Sequence, residues 1–183
     1  MMVLLLAALF ASASAFAQPR VWDFQVDLDG KPIGHHRFVL REEGGTRELT
    51  SSARFKVKIV GFTAYHYEHD ATEQWNGDCL VRLAASTDDN GERTSVDTAP
   101  AGCAMSFAYW NPAILKRTEL LNPQSGALEK VAVEKLAAGH YRITGPKHPI
   151  ELWYSPEGEW LALDSPTDSG RLRYRLERKE APK

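Results

Sequence analysis

From Val21 onward the chain is written in period two and cut at short intervals by tight-turn residues, a pattern that few folds other than an antiparallel sheet can use. Trp22, Phe24, Val26 and Leu28 alternate with Asp23, Gln25 and Asp27, so one side of the segment is apolar and the other is wetted. Asp29-Gly30-Lys31-Pro32 then reverses the chain, because Gly takes positive φ freely and Asp bonds its own backbone. His36, Phe38 and Leu40 continue the pattern on a second strand, turned by Glu43-Gly44-Gly45. Leu49, Ser51, Ala53, Phe55, Val57 and Ile59 continue the period on a third strand, with Gly61 as its bend.

A fourth strand over Phe62 to Trp75 carries Tyr65, Tyr67 and His69 on one face and His66, Glu68 and Asp70 on the other. Asn76-Gly77 reads as a type I′ hairpin turn, since both positions tolerate positive φ. It leads to Cys79–Thr87, whose Val81, Leu83 and Ala85 point one way, and Asp88-Asp89-Asn90-Gly91 reverses the chain again. After residue 126 the strands resume over 128–136, 140–144, 150–154, 160–163 and 171–176, separated by Gly- and Pro-bearing turns.

One stretch breaks the rhythm: Cys103 to Gly126, CAMSFAYWNPAILKRTELLNPQSG. Asn111 suits a helix N-cap, Pro112 the first helical position, and Asn122-Pro123 a stop, which leaves room for about three turns. The fold expected is therefore all-β: an antiparallel meander of roughly ten strands forming a barrel or half-barrel, with one short helical insert acting as lid or plug.

The first seventeen residues, MMVLLLAALFASASAFA, are apolar, uncharged and end in Ala15-Phe16-Ala17. That run is shorter than the ~20 residues of a membrane anchor and suits a cleaved export signal. Residues 1–17 are read as that signal, 18–178 as a single β-rich domain and 179–183 as a frayed tail. The address expected is periplasmic or secreted, with no transmembrane anchor. A net charge of −2 with interspersed signs gives no footprint for nucleic acid. The basic run after Arg171 alternates with Leu172, Tyr174 and Leu176, as the wet face of a strand does.

Cys79 and Cys103 are the two cysteines, and in an oxidising compartment two thiols commonly pair. A bridge would close a loop of about 25 residues and contribute ~3 kcal/mol; two separate buried thiols are the alternative, and no Cys-x-x-Cys spacing points to redox chemistry. His66, Glu68 and Asp70 share one strand face and are weak metal candidates, or else a solvated polar face. Asp88-Asp89-Asn90 is explained by its turn. Ser106, His140 and Asp164 supply the residue types of a hydrolytic triad without a nucleophile-elbow motif. No catalytic residue and no cofactor is therefore assigned.

The large rings are the better lead. Trp75, Phe107, Tyr109, Trp110, Trp153 and Trp160 exceed what alternation requires, and three of them fall in the irregular segment. Rings with polar tips suit a pocket for lipid tails or another apolar body, or they simply fill a barrel core. The ligand-binding candidates are Trp75, Phe107, Tyr109, Trp110 and Trp153.

TDDNG at 87–91, FAYWNP at 107–112, LNPQSG at 121–126, and LWYS followed by EWLAL resemble a family of exported proteobacterial proteins known only as a domain of unknown function. The resemblance covers essentially the whole mature chain. It implies a secreted or periplasmic β-rich domain and brings no catalytic residues with it. A looser, architectural likeness is to periplasmic half-barrels that carry lipoproteins or lipids across the envelope, and fold alone does not fix function. Three functions follow as expectations: a carrier of a lipid or other apolar ligand, with the helix at Pro112 to Leu121 as a movable cover; an assembly protein with an envelope partner; and, less favoured, an enzyme built on His66, Glu68 and Asp70.

Overall fold

The computed structural model describes residues 18–59 and 62–177; the expected export signal, Gly61 and the C-terminal tail lie outside the described residues. Thirteen strands follow in order: β1 (Arg20–Leu28), β2 (Lys31–Glu43), β3 (Thr46–Ile59), β4 (Phe62–Asn76), β5 (Cys79–Asp89), β6 (Glu92–Thr98), β7 (Glu119–Leu121), β8 (Leu128–Lys130), β9 (Ala132–Ala137), β10 (His140–Thr144), β11 (Ile150–Tyr154), β12 (Trp160–Thr167) and β13 (Gly170–Leu176). Eleven of them make one sheet in the order β6-β5-β4-β3-β2-β1-β13-β12-β11-β10-β9, and β7 and β8 form a separate ribbon. Every pairing between these strands is antiparallel.

Two hairpin meanders are thus joined where β13 returns to β1, with Tyr174 opposite Val26. β6 and β9 are the sheet's edges and do not pair with each other, so the half-barrel form of the expectation holds. The segment between β6 and β9 carries the β7-β8 ribbon and the insert.

Alternation decides which side is buried. Trp22, Phe24 and Val26 of β1, Phe38 and Leu40 of β2, and Trp160 and Leu163 of β12 all turn to the same interior. Phe24 sits at its centre, 4.2 Å from Trp160 and 6.2 Å from Phe38 between ring centroids. The convex side is a charged lattice: Arg171 and Arg173 hold Asp164, and Arg175 holds Asp27. The arginines of β13 are therefore the wet face that the alternation implied.

Three local expectations change. The fourth hairpin turns at Gly77-Asp78, and only Gly77 has positive φ, so it is not type I′. Trp75 then pairs Leu80 while Gln74 pairs Arg82, leaving Val81 as the extra residue of a bulge. Leu80 takes the core position and Val81 is 45 % exposed. Positive φ at two successive turn positions, the I′ signature, occurs instead at Asp29-Gly30, Gly44-Gly45 and Asn90-Gly91.

The expected three-turn helix is a five-residue 3-10 turn, Pro112–Lys116. Asn111 does cap it, accepting from the Ala113 N–H at 3.0 Å. Arg117 is already extended, with ψ 148°, and its N–H closes the turn on Ile114. The chain then pairs as β7 with β8, because Leu120 and Leu121 find a buried seat in that ribbon; tertiary burial overrides helical spacing.

Candidate functional site

The inner faces of β2 to β5 pair small residues where their neighbours have large ones. Ser51 lies opposite both Phe38 and Ala71, Ala53 opposite His36 and His69, and Ala85 opposite Ala71. Short side chains in adjacent strands leave space that the ring-bearing positions cannot fill. The result is a hollow of about 400 Å³, within the ~300–1,000 Å³ range of small-molecule sites. Phe38, Tyr67, Phe107, Tyr109, Trp110 and Tyr174 supply its rings. Its rim is polar, with Asn122 and Gln124 from the insert facing Lys147 and His148 after β10.

The insert is fastened at several points. Cys79 and Cys103 form a disulfide, with Cα atoms 4.5 Å apart. Arg47 places its guanidinium 5.0 Å from the centre of the Trp110 ring and also bonds Asp78 at 3.2 Å. Asn111 donates to Asp78 at 2.9 Å, and Arg117 donates to the backbone carbonyls of Asp78 and Cys103 at 3.0 and 3.2 Å. Tyr154 from β11 donates to the carbonyl of Tyr109 at 2.8 Å. These contacts fasten the insert to β4, β5 and β11 as one wall of the hollow.

Inside the hollow are polar groups without formal charge partners. His36 Nδ1 faces the Tyr174 hydroxyl at 3.2 Å, and burial with His69 nearby pushes its pKa down to about 3. His69 Nδ1 lies 2.8 Å from Thr87 Oγ1, and burial lowers its pKa as well. Both imidazoles are neutral at neutral pH. Glu73, 5 % exposed, accepts from Trp75 Nε1 at 3.1 Å. Burial raises it to about 7, against partial compensation from Ser106 and Trp75. Burial likewise holds the Tyr67, Tyr109 and Tyr174 hydroxyls well above the usual phenol range.

The predicted aromatics divide. Phe107, Tyr109 and Trp110 line the hollow. Trp75 does not; it stands behind the wall, edge-on to Trp110 at 5.5 Å. Trp160 is core, against Phe24. Trp153 lies on the convex side, stacked on His140 at 4.3 Å, because the buried neighbours Leu152 and Tyr154 take the inner positions of β11.

His66, Glu68 and Asp70 do share the outer face of β4, but each faces another partner. His66 lies 3.1 Å from Asp88, and Arg54 reaches Glu68 at 3.8 Å and Asp70 at 2.7 Å. Asp88 also caps its own turn, accepting from the Gly91 N–H at 2.8 Å. Among the described residues one group brings three potential ligand atoms together, Asp23, His35 and Glu177 on the convex face. Asp23 there is already bonded by Arg37 at 2.9 Å.

Ser106, His140 and Asp164 are not assembled: Ser106 is fully buried, His140 bonds Glu151 at 2.9 Å, and Asp164 serves the arginines of β13. The interior groups that sequence reading passed over are His36 and Glu73. Extending the alternation of Tyr67 and His69 by two further steps reaches Glu73, so the signal was present in the period itself.

These features define a β-barrel-like domain with a disulfide-tethered insert walling an aromatic hollow. The chain belongs to the family described as a domain of unknown function, DUF6134, whose pattern matches residues 24–177. It is similar in structure to a β-barrel-like protein of domain of unknown function DUF1849 from Brucella abortus, with a TM-score of 0.57 over 87 % of this chain and 96 % of that one. At 10 % identity the likeness speaks for the fold alone. A comparison with curated proteins gave no match.

Proposed function

We propose that the protein is an exported, periplasmic module that binds or carries a lipid or other apolar small molecule in the hollow behind the insert. The observation that carries the reading is a cavity of about 400 Å³ walled by stacked rings and open at a polar rim. An engineered apolar cavity of ~150 Å³ accommodates benzene. The hollow is thus matched to two or three ring-sized units or one short chain, which narrows the expected ligand from lipids in general to small or single-chain ones. The disulfide supports the address, because such bonds persist in oxidising compartments. Among the described residues no helix is long and apolar enough to cross a membrane.

Organic extraction of the purified protein followed by mass spectrometry tests the reading, together with titration by the neutral fluorophore N-phenyl-1-naphthylamine. A co-purifying apolar molecule and saturable fluorescence enhancement are expected. Ala71→Leu, which fills the hollow from β4, should abolish the enhancement. An empty protein that leaves the fluorophore dark would overturn the reading.

A further inference from the structure

Cys79 and Cys103 lack the Cys-x-x-Cys spacing of a redox motif, yet their surroundings are not those of an inert staple. Cys103 is exposed, in the bend that opens the insert, and Cys79 is half-buried at the start of β5. Arg117, just after the 3-10 turn, brings its guanidinium to the bond, with Nη2 3.6 Å from Cys103 Sγ in a contact at the exposed surface. The nearby Asp78 carboxylate is taken up by Arg47 and Asn111, at 3.2 and 2.9 Å, which leaves the Arg117 charge for the sulfur. A sulfur in an intact disulfide carries no charge and has no need of a cation. The need arises during exchange, when an attacking thiolate spreads its negative charge over three sulfurs in line.

The backbone about the bond is held by other means. Leu80 N–H donates to the Ala104 carbonyl at 2.9 Å, directly beside the two cysteines. Arg117 donates to the carbonyls of Asp78 and Cys103, at 3.0 and 3.2 Å, and so joins the residue before Cys79 to Cys103 itself. None of these bonds requires the sulfurs to be joined. Opening the disulfide therefore leaves two thiols facing each other on a frame that can close them again.

We propose that Cys79–Cys103 is a thiol–disulfide exchange site that reacts with a dithiol, and that Arg117 stabilises the thiolate charge at Cys103. A thiolate of the dithiol attacks Cys103 Sγ on the exposed side; the bond to Cys79 breaks, and Cys79 leaves as a thiolate that takes a proton from water. The second thiol of the dithiol, deprotonated, then attacks its own partner sulfur in the mixed disulfide. Cys103 departs as a thiolate beside Arg117. Two electrons have passed to the protein, whose disulfide is now two thiols, and the dithiol has become a disulfide. This inference stands apart from the reading of the hollow.

Reduction of the native protein by dithiothreitol, quenched by alkylation and followed by mass, tests it. The bond should open in full without denaturant while far-ultraviolet circular dichroism stays that of the folded sheet. Arg117→Gln should slow the opening about fivefold, the size of an exposed charge interaction, and Arg117→Lys should restore most of the rate. A purely structural Arg117 gives the opposite sign, because loosening the insert uncovers the sulfurs and speeds their reduction. Should Arg117→Gln not fold, charged reagents on the wild-type chain decide. The anion 2-mercaptoethanesulfonate should then outpace the cation cysteamine, once each rate is divided by its rate on an uncharged model disulfide. A bond that opens only as fast as the chain unfolds, faster reduction of Arg117→Gln, or no preference for the anionic thiol overturns the proposal. Each of these outcomes leaves the hollow as a ligand site.

Discussion

His35 and His36 are neighbours in the chain and lie on opposite sides of β2. His35 points out, 3.9 Å from Glu177, among carboxylates and arginines that water screens. His36 points in, where burial keeps it neutral and its one partner is a phenol. The same contrast runs across the whole sheet. Outside, Asp164 and Asp27 are covered by arginines that satisfy them; inside, Glu73 is covered by rings and raised to about 7. Charge is matched on the convex side and suppressed on the concave side. One backbone thus supports two electrostatic regimes a side chain apart, which is how a thin sheet can be wet on one side and still present a neutral hollow on the other.

The contrast can be broken or sharpened at both faces. The largest effect belongs to the interior: Phe24→Ala, at a fully buried ring packed on Phe38, Trp160 and Tyr174, should lower stability by about 3–5 kcal/mol in urea unfolding. A loss below about 1 kcal/mol would mean the concave side is not the packed side. Next comes the tether. Reducing Cys79–Cys103, separated by 24 residues, should lower stability by about 3 kcal/mol. Amide exchange should then quicken in the insert and spare β1 and β2; uniform quickening would contradict a local tether.

A smaller effect distinguishes the regimes by pH. The folded state holds the Glu73 proton more tightly than the unfolded one, its pKa moving from 4.5 to about 7. Wild-type stability therefore falls as pH rises through that window, and the loss is complete above it. Glu73→Gln has no proton to lose, so near pH 8 it should exceed the wild type by about 1–3 kcal/mol, with the gain gone by about pH 4. A gain that does not change with pH would place Glu73 in water. The smallest effect is outside: Arg54→Ala breaks ion pairs to Asp70 and Glu68 that are half exposed, and should shift stability by less than about 1 kcal/mol, less still at high salt.

Strand faces were legible because period two is a one-residue rule: the inward row of Trp22, Phe24 and Val26 and the arginine row of β13 both follow from it. Anything that needs a register was not. Val81 left the core because of a bulge set by a turn one residue later than Asn76-Gly77 implied. Trp153 faces outward for want of a residue-by-residue count along a short strand. The helical spacing of Ile114, Leu115, Thr118 and Leu121 was real but lost to the pairing of β7 with β8. Three rings of the insert were found by composition. That the indole N–H of one of them, Trp110, has no hydrogen-bond partner became visible only when partners could be counted in three dimensions.

The unpaired edges have one further consequence. In a closed barrel the bore is fixed by strand number and stagger, so enlarging it means tearing ladder bonds. Here β6 meets the insert through Thr94, whose hydroxyl donates to the Gln124 carbonyl at 3.3 Å, and through Val96 against Gly126. That join is a seam made through side chains, with no ladder rung across it among the described residues. The girth of the molecule at that edge is thereby held by side chains and not by a ladder.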